Sequence, residues 1–171
     1  MVVEIGRQLL FAVFPLALAY AAASDLLTMT IANRLVVAMV AAFVVMAPIA
    51  GLEWNEVVVH FAAGAAVIAI AFTFFAAGWI GGGDAKFAAA VALWLGWTHL
   101  LDFAVYAALF GGALTMILLS FRRSVLPAFV IRQPWVQRLH DQKAGVPYGV
   151  ALAAAGLATY PDSVWMRLAI G

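Results

Sequence analysis

The chain has 171 residues, 67% of them hydrophobic and only 10% charged, with a net charge of +1; a soluble domain carries roughly 25% charged residues, so a water-soluble fold is excluded. Cysteine is absent, which rules out disulfides, Cys-ligated zinc and thiol catalysis. The few Lys and Arg lie between apolar spans and form no stripe, so nothing points to nucleic acid as a partner.

Six stretches lack Lys, Arg, Asp and Glu: 8–24, 35–52, 57–83, 87–101, 103–121 and 144–161. Most approach the ~20 residues needed to cross hydrocarbon. The expected fold is an all-α, polytopic transmembrane bundle of about six helices. It forms a single membrane unit over residues 1–171, with one substantial loop at about 122–146.

Helix 1 is predicted over Leu9–Ser24, delivering Asp25 to a membrane boundary. A cleavable signal peptide ending in the small-residue run Ala19–Ser24 is the rival reading of this segment. It would invert every later loop against the charge bias described below. After Leu26–Arg34, helix 2 returns to about Ile49, and Trp54 in the next turn is suited to an interfacial anchor. Helix 3 spans about Val57–Trp79 and ends in Gly78, Gly81, Gly82 and Gly83 before Asp84. A short helix 4 follows over Ala85–Trp97, and helix 5 over about Leu101–Phe121. The loop from Arg122 to Lys143 mixes five basic residues with apolar ones, a composition that suits either the surface of an anionic leaflet or a plain connector. Helix 6 starts around Pro147, whose missing N–H costs nothing in a first turn, and runs to about Thr159. No convincing internal repeat is present.

If the loops alternate sides, seven of the nine basic residues (Arg34, Lys86, Arg122, Arg123, Arg132, Arg138 and Lys143) share one side, leaving Arg7 and Arg167 on the other. The positive-inside rule makes the first side cytoplasmic and turns both termini outward. Asp25, Asp84 and Asp141 are then the acidic residues of the inner face.

An ionisable group at the edge of hydrocarbon is costly, so an unpaired Asp there is a functional candidate by default. Asp25 and Asp84 both qualify. The glycines before Asp84 permit tight packing, positive φ or the approach of an extended chain. Two carboxylates held in a partly dry site share a proton, and can divide the work of taking one from water and giving one to a carbonyl oxygen. The chain has no HExxH and no serine in a glycine-framed elbow. His60, His99 and His140 are read as interfacial or packed residues, and no metal or cofactor is required. Asp25 could instead snorkel and pair with Arg34. Lys86 is either an inner anchor or a charge that tunes Asp84, and Asn33 either caps helix 2 or supports Asp25.

Gly81-Gly82-Gly83-Asp84-Ala85-Lys86 resembles the GxGD signature of the prepilin peptidases, the type IV prepilin peptidase family of membrane aspartic peptidases. Asp25 followed by Ile31-Ala32-Asn33 resembles that family's first motif, with Ala32 in place of its usual proline. The stretch from Lys143 to Val150, containing Pro147, Tyr148 and Gly149, is similar to its third. The resemblance implies that Asp25 and Asp84 are the catalytic pair, with Gly81, Gly83, Lys86 and Asn33 in supporting positions. It implies a prepilin or pseudopilin substrate, whose leader and first hydrophobic helix are presented from the lipid bilayer. It implies cleavage at the cytoplasmic face of a bacterial inner membrane. Lacking the cysteine-containing insert of larger members, the chain resembles the stand-alone peptidases of tight-adherence, or Flp-type, pili, which cleave without methylating. Two alternatives use the same aspartates: a presenilin-like intramembrane peptidase, and a small ion or proton transporter.

Overall fold

The computed structural model describes the backbone of residues 2–170 and the side chains from residue 11 onward, apart from residue 128 and the last two helical positions. Within them the chain is helical throughout, with no strands: α1 Val2–Thr28, α2 Asn33–Ile49, α3 Trp54–Ala76, α4 Gly82–Leu95, α5 Leu100–Arg123, α6 Ala128–Ile131, α7 Pro134–His140, α8 Tyr148–Thr159 and α9 Val164–Ile170. Three segments are long and apolar enough to cross a membrane: Phe11–Thr28, Trp54–Ala76 and Trp97–Arg123. α2 is apolar but shorter, and α4 and α8 are shorter still. The architecture is that of a helical membrane protein. The side chains of Glu4 and Arg7, which entered the charge count, lie outside the described residues.

Helix ends differ from the sequence expectation in ways that local chemistry explains. α1 continues one turn beyond Asp25 and stops at Met29, whose φ of +57° is a left-handed helix cap. Its amide donates to the Asp25 carbonyl oxygen at 2.7 Å, the bond pattern of such caps, though glycine is the usual occupant. α3 begins three residues early because Glu53 and Glu56 form a reciprocal capping box. α8 begins after Pro147, which is not the first helical residue but the centre of an inverse γ-turn (φ −73°, ψ 76°). That turn is closed by the Tyr148 amide on the Val146 carbonyl at 2.8 Å. In the 122–143 loop, α6 and α7 are short, Val136 and Leu139 are buried, and Arg122 is not a lipid anchor. Arg122 is itself buried and donates to the carbonyls of Leu139 (2.8 Å) and Gly145 (2.7 Å). The chain from α5 to α8 is thereby tied to the end of α5.

The core is knotted by aromatic rings from four helices. Trp94 stacks on Phe14 with centroids 5.0 Å apart and meets Trp165 at 4.8 Å, while Phe43 packs edge-on against both indoles. Both indole N–H groups are satisfied: Trp94 donates to Met39 O (3.0 Å) and Trp165 to Trp94 O (2.7 Å). α9 is therefore anchored to the core through Trp165, which meets Phe43 of α2 and Trp94 of α4. Trp165→Ala removes a fully buried ring and orphans the Trp94 carbonyl. It should cost about 3 kcal/mol or more of stability, read as a lower melting temperature in detergent. Phe14 lies eleven helical steps from Asp25 and Trp94 ten from Asp84, about 15 Å in each case, so activity per folded molecule should change little.

Candidate active site

The loops that the charge pattern assigns to one side, 25–34, 84–86 and 122–143, gather at one end of the bundle together with the neighbouring residues 78–83 and 144–149. Arg138 donates to the Leu27 carbonyl, Lys86 to Asn33 Oδ1 at 3.1 Å, and the Gly149 amide to Asp25 Oδ2 at 2.7 Å. Between them lies a cavity of about 640 Å³. Asp25 and Asp84 both line it, together with Met29, Ile31, Trp79, Gly81 and Pro147. The two carboxylates are near enough to interact electrostatically.

Asp25 is 4% exposed and has no cationic partner among the described residues; Arg34 is exposed and forms no ion pair with it. Its support is the start of α8. The Gly149 amide, a donor that a helix's first turn leaves unpaired, bonds its carboxylate, while the next amide, of Val150, is taken by the Pro147 carbonyl at 3.1 Å. Asp25 thus serves as the N-cap of a helix that begins more than a hundred residues later. A Cβ on Gly149 would stand 2.6 Å from Ile31 Cδ1 and 2.8 Å from Asp25 Oδ2, so any larger residue has to displace one or both side chains. In the sequence Gly149 is one member of the 143–150 motif, with nothing to mark a role of its own beyond its place in the first turn of a predicted helix.

Asp84, half-buried, occupies the first turn of α4, whose N-cap is Gly81. Its carboxylate folds back against the Gly81 amide, as an acidic residue does in that position of a capping box. A Cβ on Gly81 would lie 2.9 Å from Asp84 Oδ2. Each acid therefore sits at a helix N-terminus with a glycine pressed against it. The glycine cluster is less uniform than its composition suggests. Gly78 alone within it takes a positive φ (+74°), and a Cβ on Gly83 would meet nothing closer than Ile31 at 3.7 Å. Gly83 lines the cavity without being sterically obligatory.

Asn33 is not the cap of α2. Ala32 holds that position, without a side-chain bond, and Asn33 turns instead to Lys86. That bond joins the first turns of α2 and α4, the two elements that follow Asp25 and carry Asp84, and makes Asn33 and Lys86 positioning residues. Asn33→Ala and Lys86→Ala should each lower processing about three- to tenfold, the value of one net hydrogen bond. The double variant should be no worse than either single change, as a double-mutant cycle on the processing rate would show. Ala32, where the resembling family has proline, has φ −68°, within the range a proline ring imposes. The departure leaves the backbone path unchanged.

Among the described residues, no three His, Cys, Asp or Glu side chains converge as metal ligands. His60 Nδ1 pairs with the Leu93 carbonyl at 2.7 Å, among packed side chains remote from the aspartates. The family model described as the type IV leader peptidase family, Peptidase_A24, matches residues 12–116. The match takes in both aspartates, residues 31–33 and residues 81–86. The 143–150 stretch lies beyond it and is tied to the site by the Gly149–Asp25 bond. No curated protein and no solved structure gives a significant match.

Proposed function

Because the chain belongs to the type IV leader peptidase family, we propose that it is an aspartic endopeptidase removing the N-terminal leader of a type IV or Flp-type pilin precursor. In this reading it crosses a bacterial inner membrane about six times, with both termini outside. The basic end that holds the cavity faces the cytoplasm.

The observation that carries the proposal is that Asp25 and Asp84, from α1 and α4, line one cavity. One carboxylate takes a proton from a water molecule whose oxygen attacks the scissile carbonyl carbon, while the other, protonated, gives its proton to the carbonyl oxygen. Collapse of the tetrahedral species breaks the C–N bond, and the departing amine takes up the proton removed from water. No covalent enzyme intermediate is needed. The bond from Gly149 fixes one oxygen of Asp25, so part of the orientation is already present before substrate arrives. Apolar surroundings strengthen each of these charge interactions.

The test is co-expression with a type IV prepilin and determination of the N-terminus produced, by mass spectrometry. A single new N-terminus at the leader junction supports the proposal. Cleavage within the hydrophobic span would point to the presenilin-like reading instead, and an unprocessed precursor would overturn peptidase action on this substrate class.

A further inference from the structure

A second cavity, about 750 Å³, opens from the first along the side of the bundle. Ile80, Asp84 and Tyr148 line both cavities. α3 packs mainly on α4 and α5 mainly on α8, so α3 and α5 stand apart as the walls of a groove whose floor includes Ala88 and Ala151. The walls run from Ala66 to Phe74 on α3 and from Leu100 to Ala108 on α5, each a run of eight helical steps, or about 12 Å of helix. Asp84 is the one charged residue among those lining it, and it stands at the inner end. Ile70 and Leu101 on the rims are 57% and 75% exposed.

We propose that this groove receives the first two turns of the substrate's hydrophobic helix, immediately beyond the bond that Asp25 and Asp84 cut. The inference rests on the peptidase reading and adds where the membrane-embedded part of the substrate lies. Three observations select that occupant. The groove adjoins the catalytic cavity, with Ile80, Asp84 and Tyr148 common to both linings, so a chain whose peptide bond lies between the aspartates has its next residues beside the groove's inner end. The lining is apolar, and both walls belong to helices long enough to span a membrane, so the occupant meets hydrocarbon on its free side. Alanines on the walls and floor let a helix backbone approach closely, the packing by which helices associate in lipid. The remainder of a membrane-spanning helix of ~20 residues would continue past the groove into lipid.

The absence of native cysteine makes the test direct. Single cysteines are placed at Ile70 or Ala104 in the groove, and at Val37, an exposed position on α2, as the control. All are made in an Asp84→Asn background so that bound precursor is not consumed. The probe is a type IV prepilin processed by the wild-type chain, carrying one cysteine about four to eight residues beyond its junction, within two helical turns. Oxidation in membrane vesicles should give enzyme–precursor disulfides at Ile70 and Ala104 several times more abundant than at Val37. In otherwise wild-type protein, Ala104→Trp should cut precursor processing about tenfold, the equivalent of 1.4 kcal/mol. A peptide ending just past the junction, with no hydrophobic helix, should be cleaved by this variant at the wild-type rate.

Crosslinking that is equal or stronger at Val37 overturns the groove assignment while leaving the peptidase reading intact. So does a predominance of enzyme–enzyme disulfides through Ala104, which would mark the groove as an interface between copies. Full processing by Ala104→Trp, with only lipid found in the groove, has the same meaning. If the wild-type chain processes no prepilin, the peptidase reading fails, and this inference falls with it.

Discussion

Asp25→Asn and Asp84→Asn should each insert and fold normally yet lower cleavage of a type IV prepilin by at least about a hundredfold, toward the ten-thousandfold limit of general acid–base catalysis. Asparagine keeps an oxygen that can accept from the Gly149 amide or lie against the Gly81 amide, so the helix starts remain satisfied. What it cannot do is exchange a proton. The measurement is the fraction of precursor converted per folded enzyme, with melting temperature in detergent as the control for folding. Normal processing by either variant would remove that residue from the chemistry. Loss of processing together with loss of folded protein would mean that the carboxylate is needed for structure first.

The second large effect is expected at Gly149. Its Cβ would arrive 2.6 Å from Ile31 Cδ1, 2.8 Å from Asp25 Oδ2 and 3.0 Å from Asp25 Cγ, so Gly149→Ala must push the carboxylate aside or move the start of α8. A displacement of about 1 Å in a reacting group can cost a hundredfold in rate, and a loss of about that size is expected. Gly83→Ala is the informative partner. It lies in the same cavity wall, but its nearest neighbour would be 3.7 Å away, and processing should stay within about threefold of wild type, as for a change that adds only ordinary contact. Trimming Ile31→Val beside Gly149→Ala should not restore activity, because the collision with Asp25 remains. Restoration would assign the defect to Ile31 instead.

The candidate pair is legible because hydrocarbon leaves so few places for charge: once the apolar stretches are marked, Asp25 and Asp84 stand out at their edges. The same patterning places most of the expected helix ends to within a turn, but α1 starts at Val2, seven residues before Leu9, and α6, α7 and α9 carry no such signal. What periodicity could not supply was anything fixed by contact between distant segments. Gly149 is indistinguishable in sequence from a small packing residue, and its necessity appears only when α1 brings Asp25 to its amide. Arg122 counted as one more inner-side cation, yet it is buried and spends its hydrogen bonds on two backbone carbonyls. Asn33 had the right chemistry for a cap, but its longer-range partner Lys86 took the bond. Of the three uses that the glycine run before Asp84 allows, positive φ belongs to Gly78 and tight packing to Gly81, which keeps ordinary dihedrals (φ −73°, ψ 146°) with a carboxylate folded onto it. The groove between α3 and α5 is a property of which helices do not meet, and no single segment encodes it.

The hydrogen bond between Asp25 and Gly149 joins positions 124 residues apart. A chain leaving the ribosome exposes its first acid long before the partner amide has been translated. Until the eighth helix inserts and docks, that acid lacks its fixed orientation. A half-made protease in the membrane would thus be held harmless by its own unfinished synthesis, with competence arriving only as the last helices close the bundle.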